Sequence, residues 1–168
     1  MIATGVRYLL VPGRGVALPD HWMRRFAQRP GFEWAPEPPG PPYAPDERVA
    51  ALQTVVSAGE APVVLVAHSA GCLTVALWAA RHTGPVRGAL LVTPPDVPPD
   101  QIVVPRTRLP FPSILVASRN DPYTSVAGFQ ALADDWGADL VDAGDVGHLD
   151  SATGFGSWPD GERLVARL

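Results

Sequence analysis

Short apolar runs alternate with stretches of helical period along the chain. The runs are Tyr8–Val11, Val63–Ala67, Ala89–Val92, Ser113–Ala117 and Asp139–Val141, with a weaker one at Phe32–Ala35. Each is too short for a helix and bounded by turn residues, so each predicts a strand. Helical patterns lie between them at Asp20–Gln28, Asp46–Ala58, Ala70–His82 and Ser125–Gly137, and a last one starts near Pro159. This alternation predicts a six-stranded parallel sheet with helices on both faces. Two proline-rich stretches interrupt it. Pro36–Pro45 must be extended, since proline cannot sit inside a helix or a central strand; it is either a crossover loop or a ligand for a proline-binding module. Thr93–Pro112 is too short to form a domain of its own. No internal repeat is visible.

Composition narrows the class. The 168 residues suit one α/β domain, residues 1–168. Folding at this length buries roughly two-thirds of the unfolded chain's surface, enough for a core without staples. With 46% apolar and 18% charged residues the chain reads as a globular protein. The net charge of −4 and the lack of a basic stripe argue against nucleic acid as a partner. All 13 basic residues are arginine. The absence of lysine excludes Schiff-base chemistry and a phosphate-loop lysine, and the Arg-, Ala-, Gly- and Pro-rich usage suggests a bacterial source of high GC content. One cysteine, Cys72, can form no internal disulfide and no cysteine-based zinc site. The apolar run at Tyr8–Val11 is too short to span or target, so a cytoplasmic location without membrane attachment is expected.

The chemistry concentrates at Ala67-His68-Ser69-Ala70-Gly71, which follows the apolar run at Val63–Val66 and opens a helical pattern. A serine on a sharp strand-to-helix turn is a nucleophile elbow, written G-x-S-x-G. The strand and helix backbones come close there, so the flanking positions must be small; Gly71 satisfies this, and Ala67 replaces the first glycine. The Ala70 N–H would point at a developing oxyanion, helped by the positive end of the helix. The structural alternative is a serine N-cap on a buried helix.

A nucleophilic serine needs an imidazole to take its proton, and the imidazole needs a carboxylate to fix its tautomer. Asp121 stands just past the fifth strand and His148 just past the sixth, in the order Ser, acid, His. The carboxyl ends of parallel strands lie along one edge of a sheet, so the three side chains can converge. Taken singly, Asp121 could be a helix cap before Pro122 and His148 a solvated loop residue. Their joint placement favours a triad. Asp96, past the fourth strand, is the rival acid.

The stretches VPGRGVALPDHW, VLVAHSAGCLTVALWA, ILVASRNDPY and LVDAGDVGHLDSATGFGSWPDG resemble the small serine hydrolases grouped with YdeN and the retinoblastoma-binding protein nine family. Together they run from the first strand to the final helix. The resemblance implies a compact α/β-hydrolase without a cap domain, and it assigns nucleophile, acid and base to Ser69, Asp121 and His148. Asp150 stands where asparagine would be more usual. Fold and resemblance place the loop Pro12-Gly13-Arg14-Gly15 beside the elbow. The Arg14 N–H is the expected second oxyanion donor, with Gly13 and Gly15 as competitors; a plain turn is the alternative.

The expected strand order is 2-1-3-4-5-6, with the ligand crevice between strands one and three. The expected reaction is acyl transfer from a small ester, thioester or amide to water through an acyl-Ser69 intermediate, with no cofactor and no metal. A non-catalytic binding module on the same fold and an acyltransferase with the same triad are the alternatives. His68 neighbours Ser69 but diverges from it and is expected to pack beside the sheet. His82 suits a helix C-terminus, His21 and Trp22 either border the pocket or pack inside, and Cys72 is read as a buried filler. Phe111, Tyr123 and Trp158 are either pocket walls or core.

Overall fold

The computed structural model describes residues 2–15, 17–37 and 43–168. The strands are β1 (Arg7–Val11), β2 (Phe32–Trp34), β3 (Val63–His68), β4 (Val86–Val92), β5 (Ser113–Ala117) and β6 (Asp139–Asp142). The helices are α1 (Trp22–Phe26), α2 (Pro45–Val56), α3 (Ala70–Arg81), α4 (Val126–Trp136) and α5 (Pro159–Val165), with a short 3-10 turn at Ser151–Thr153. The six strands form one sheet in the order β2-β1-β3-β4-β5-β6, and every pairing is parallel. That is the order read from the chain.

Side chains alternate across a strand, so each central strand feeds two cores. Leu9, Val11, Leu65, Ala67, Leu91 and Leu115 face one side, where they pack with Val49 and Leu52 of α2, Leu73 of α3, and Phe129 and Trp136 of α4. Tyr8, Leu10, Val64, Val66, Leu90 and Val116 face the other, against Trp22 and Phe26 of α1 and Val165 of α5. Burial on both faces is why these strands read as continuous apolar runs rather than as alternating ones.

Local chemistry sets most element ends. Ser125 caps α4 by accepting from the Gly128 N–H, and Gly137 closes it in the left-handed region at φ 67°. Pro45 occupies the first turn of α2, where its missing N–H costs nothing. Most element ends shift by one or two residues, and two elements differ further. β4 begins at Val86 rather than Ala89, because Val86 pairs with Val63 although Arg87 and Gly88 interrupt the apolar run. α1 spans only Trp22–Phe26: His21 accepts from the Met23 N–H and caps it, so Asp20 stays outside. Asp20 instead accepts from the Ser151 hydroxyl. Residues 93–112 contain neither strand nor helix, whereas the middle of the proline-rich stretch, residues 38–42, lies outside the described residues. Among the described residues no helix is long and apolar enough to cross a membrane.

Candidate active site

β3 ends at His68 and α3 begins at Ala70, leaving Ser69 alone to turn the chain. Its backbone sits at φ 56° and ψ −127°, a conformation that costs a non-glycine residue about 1–3 kcal/mol. Gly71 makes the turn possible. A Cβ there would lie 2.2 Å from the Val11 carbonyl oxygen, so only glycine lets α3 approach the end of β1. Ala67 needs no such allowance, because its methyl enters the packed core behind the sheet.

The Ser69 hydroxyl makes no capping bond to α3, which removes the N-cap alternative. Its Oγ lies 2.7 Å from Nε2 of His148, and Nδ1 of His148 lies 2.7 Å from Oδ2 of Asp121. An ionised carboxylate only accepts, so Nδ1 carries the proton and Nε2 is left to accept from the serine. The Asp121 side chain is fully buried and that of His148 is 5% exposed, so His148 is no solvated loop residue. Asp121 is not the cap of α4 either; Ser125 is. The second carboxylate oxygen of Asp121 accepts from the N–H groups of Tyr123 and Thr124, which fixes its rotamer. Asp96 is exposed, and it is its backbone N–H that donates to the Thr124 hydroxyl.

The histidine loop is pinned from several sides. His68 Nε2–H and the Thr93 hydroxyl both donate to the His148 carbonyl, at 2.8 and 3.2 Å. The His148 N–H donates to the Thr153 hydroxyl, Trp22 Nε1–H donates to the Leu149 carbonyl, and the Gly147 N–H donates to Asn120 Oδ1. Among the described residues the non-glycine residues at positive φ are Ser69, Thr93 and Leu149, and all three belong to this site. Strain of this kind persists only where the surroundings over-determine it.

The rings of His21, His68 and His148 form a row, with centroids 5.0 and 5.1 Å apart. Burial pushes His21 down to about 4, against the pull of Asp150 and Asp20, and burial pushes His68 down to about 3. Both are therefore neutral near pH 7, which keeps repelling charge away from His148. His68 packs beside the sheet, as the chain suggested, but its bond to the His148 carbonyl was not legible there. Nothing in the local pattern of His68, Thr93, Trp22 or Asn120 announces a contact made across the sheet edge.

The loop after β1 abuts the elbow. A Cβ on Gly13 would stand 3.1 Å from Ser69 Cβ and 3.7 Å from the Ala70 nitrogen, so the Gly13 backbone borders the space above Ser69. Arg14 itself is exposed. Trp22 and Trp158 pack against each other in the core, with centroids 5.0 Å apart, and Phe111 is buried on the opposite face of the sheet. Tyr123 is the exception: it is 59% exposed and meets the His148 ring edge-on at 4.7 Å. His82 ends α3, and the buried Cys72 thiol donates to the Val92 carbonyl, its pKa pushed up by burial. A cavity of about 640 Å³ lies at the far edge of the sheet, beside the start of β5 and β6, and no histidine or cysteine lines it. Among the described residues no group of three or more His, Cys, Asp or Glu could hold a metal ion.

The fold recurs in solved structures. A YdeN-like hydrolase from Pectobacterium atrosepticum is 28% identical, with 96% of this chain and 89% of that one covered and a TM-score of 0.87. The ydeN gene product of B. subtilis is 21% identical over 98% of both chains, with a TM-score of 0.72. Est816, described as an N-acyl homoserine lactone degrading enzyme, shares the fold at 17% identity and a TM-score of 0.69, over 97% of this chain and 92% of that one. No curated protein matches the chain. The model of the serine hydrolase family matches residues 8–167, from the first strand to the end of the last helix, and the chain belongs to that family.

Proposed function

We propose that this hydrolase cleaves a small ester, thioester or amide through an acyl-Ser69 intermediate. One observation carries the reading: Ser69 Oγ, His148 and the buried Asp121 form a continuous hydrogen-bonded chain with 2.7 Å at each link. Ser69 attacks the carbonyl carbon while His148 Nε2 takes its proton, and Asp121 stabilises the imidazolium. The N–H groups of Ala70 and Arg14 hold the oxyanion of the tetrahedral intermediate. His148 passes its proton to the leaving group as the bond breaks, then takes one from the water that releases the acid. No step calls for a metal or a cofactor. Residues 93–112, which run between β4 and β5 without a helix, add no cap over the site among the described residues and favour a small or exposed acyl group. The neighbour described as degrading N-acyl homoserine lactones puts lactones on the substrate panel. The reading keeps the protein cytoplasmic, in line with its one buried free cysteine.

Fluorophosphonate treatment followed by mass spectrometry tests this. The expected result is a single adduct on Ser69, together with turnover of p-nitrophenyl acetate that Ser69→Ala abolishes without lowering the melting temperature. A wild-type protein that takes no adduct and turns over no ester is a binding module, and the reading is then wrong. Faster product formation on adding a small alcohol would make the acceptor an alcohol and the protein an acyltransferase.

A further inference from the structure

α2 carries an arginine on its buried face. Arg48 stands one turn before Leu52 on the stripe that includes Val49 and Val56, and it is 3% exposed. A charge in that position needs partners, because burying it unpaired is costly. Its Nη1 donates to the Gly13 carbonyl at 3.1 Å and reaches the Pro12 carbonyl at 3.4 Å. Its guanidinium also lies over the Tyr43 ring, 5.4 Å from the centroid. The Tyr43 hydroxyl in turn donates to the Ala70 carbonyl at 3.1 Å and lies 3.0 Å from the Thr74 hydroxyl, in the first turns of α3. One Arg–Tyr pair thus touches both backbone segments that border the space above Ser69.

The Gly13 carbonyl and the Arg14 N–H belong to one planar trans peptide, so they point in opposite directions. Holding the carbonyl against α2 aims the N–H away from α2. Gly13 itself is packed on Ser69 and the Ala70 nitrogen, so the neighbouring N–H is delivered beside the nucleophile. A cation on the carbonyl also polarises the peptide, which makes its N–H a stronger donor. We propose that Arg48 is a positioning residue of the oxyanion hole: through the Gly13 carbonyl it fixes and polarises the Arg14 N–H that receives the oxyanion at Ser69. The proposal rests on the acyl-transfer reading above. The glycine loop needs such a support, since glycine by itself leaves the peptide free to rotate.

The test compares wild type, Arg48→Gln and Arg48→Lys in melting temperature, in kcat and KM for p-nitrophenyl acetate, and in inhibition by a trifluoromethyl ketone, whose Ser69 adduct carries an oxyanion. Losing an oxyanion donor outright costs roughly a hundred- to a thousandfold in turnover, and misaiming one costs less. In Arg48→Gln, kcat is expected to fall about thirtyfold while KM stays within about threefold. Ketone affinity should fall in parallel with kcat, and Arg48→Lys, which keeps a cation near the carbonyl, should recover part of both. A purely structural role would lower the melting temperature and leave the ketone affinity of the folded fraction unchanged. Folded Arg48→Gln with kcat and ketone affinity within twofold of wild type overturns the proposal. Should that variant not fold, a crystal structure of the wild-type phosphonate adduct decides. The phosphoryl oxygen on the Arg14 nitrogen, with Gly13 still on Arg48, supports the proposal; a Gly13 carbonyl turned away from Arg48 overturns it. A wild type without turnover or adduct overturns the acyl-transfer reading itself, a result distinct from either.

Discussion

Replacing Asp121 with asparagine separates the orienting role of the carboxylate from its place in the turn. Oδ1 of Asp121 accepts from two backbone N–H groups, Tyr123 at 2.7 Å and Thr124 at 3.2 Å, while Oδ2 accepts from His148 Nδ1 at 2.7 Å. An asparagine must choose which way to lie. With its NH2 towards the turn, both backbone N–H groups would face a donor and lose their acceptor, that of Thr124 in a partly buried setting. The amide oxygen therefore takes the turn, and the NH2 faces Nδ1. Nδ1 must then accept, the ring proton moves to Nε2, and Nε2 can no longer take the proton of Ser69 at 2.7 Å. In Ser-His-Asp proteases the equivalent substitution lowers turnover about ten-thousandfold, close to 5.5 kcal/mol of transition-state stabilisation. Asp121→Asn is expected to lose at least about a hundredfold in kcat/KM, because a fold that retains the oxyanion donors keeps some rate. The melting temperature should fall by only a few degrees, since both turn bonds survive. The assay is p-nitrophenyl acetate hydrolysis alongside thermal unfolding. A folded variant within tenfold of wild type would refute the assignment, and if Asp96→Asn loses activity while Asp121→Asn keeps it, the role moves to Asp96.

Gly71→Ala puts a methyl 2.2 Å from the Val11 carbonyl oxygen, so the elbow must open or the protein must unfold. Thermal melting should show a loss of several kcal/mol, beyond the roughly 1–3 kcal/mol of ordinary overpacking, and a normal melting temperature with full activity would contradict the packing argument. Acid should destabilise the protein through His21 and His68, held neutral by burial at about 4 and about 3. Their folded values lie below the unfolded value near 6.5, so their stabilisation is complete above that pH and is lost as pH falls below it. Between pH 7 and 5 the two together should remove roughly 3–4 kcal/mol in urea unfolding, and a curve flat to about 1 kcal/mol would rule this out. Turnover should survive EDTA; loss of activity restored by a divalent ion would show a metal in the chemistry.

Much of the site was legible before any tertiary contact was known. The apolar runs and the helical period marked the six strands and their parallel sense, because a strand buried on both faces admits little but apolar residues, and the family resemblance implied their order. Parallel strands put their carboxyl ends on one edge, so the positions of Ser69, Asp121 and His148 just past three of those ends were enough to bring them together. Gly71 announced the elbow, because the close approach of α3 to the end of β1 admits no side chain there. What the chain could not announce are contacts between segments far apart in sequence, which have no period and no fixed spacing. The bonds of His68 and Thr93 to the His148 carbonyl, of Trp22 to the Leu149 carbonyl and of Asn120 to the Gly147 N–H are of this kind. Arg48 belongs with them, because the Gly13 carbonyl reaches it only after β1 and α2 have packed on the same sheet. Local pattern decides which residues are buried and at which edge they emerge; only the packed fold decides which donor meets which acceptor, since a hydrogen bond depends on tenths of an ångström that no periodicity encodes.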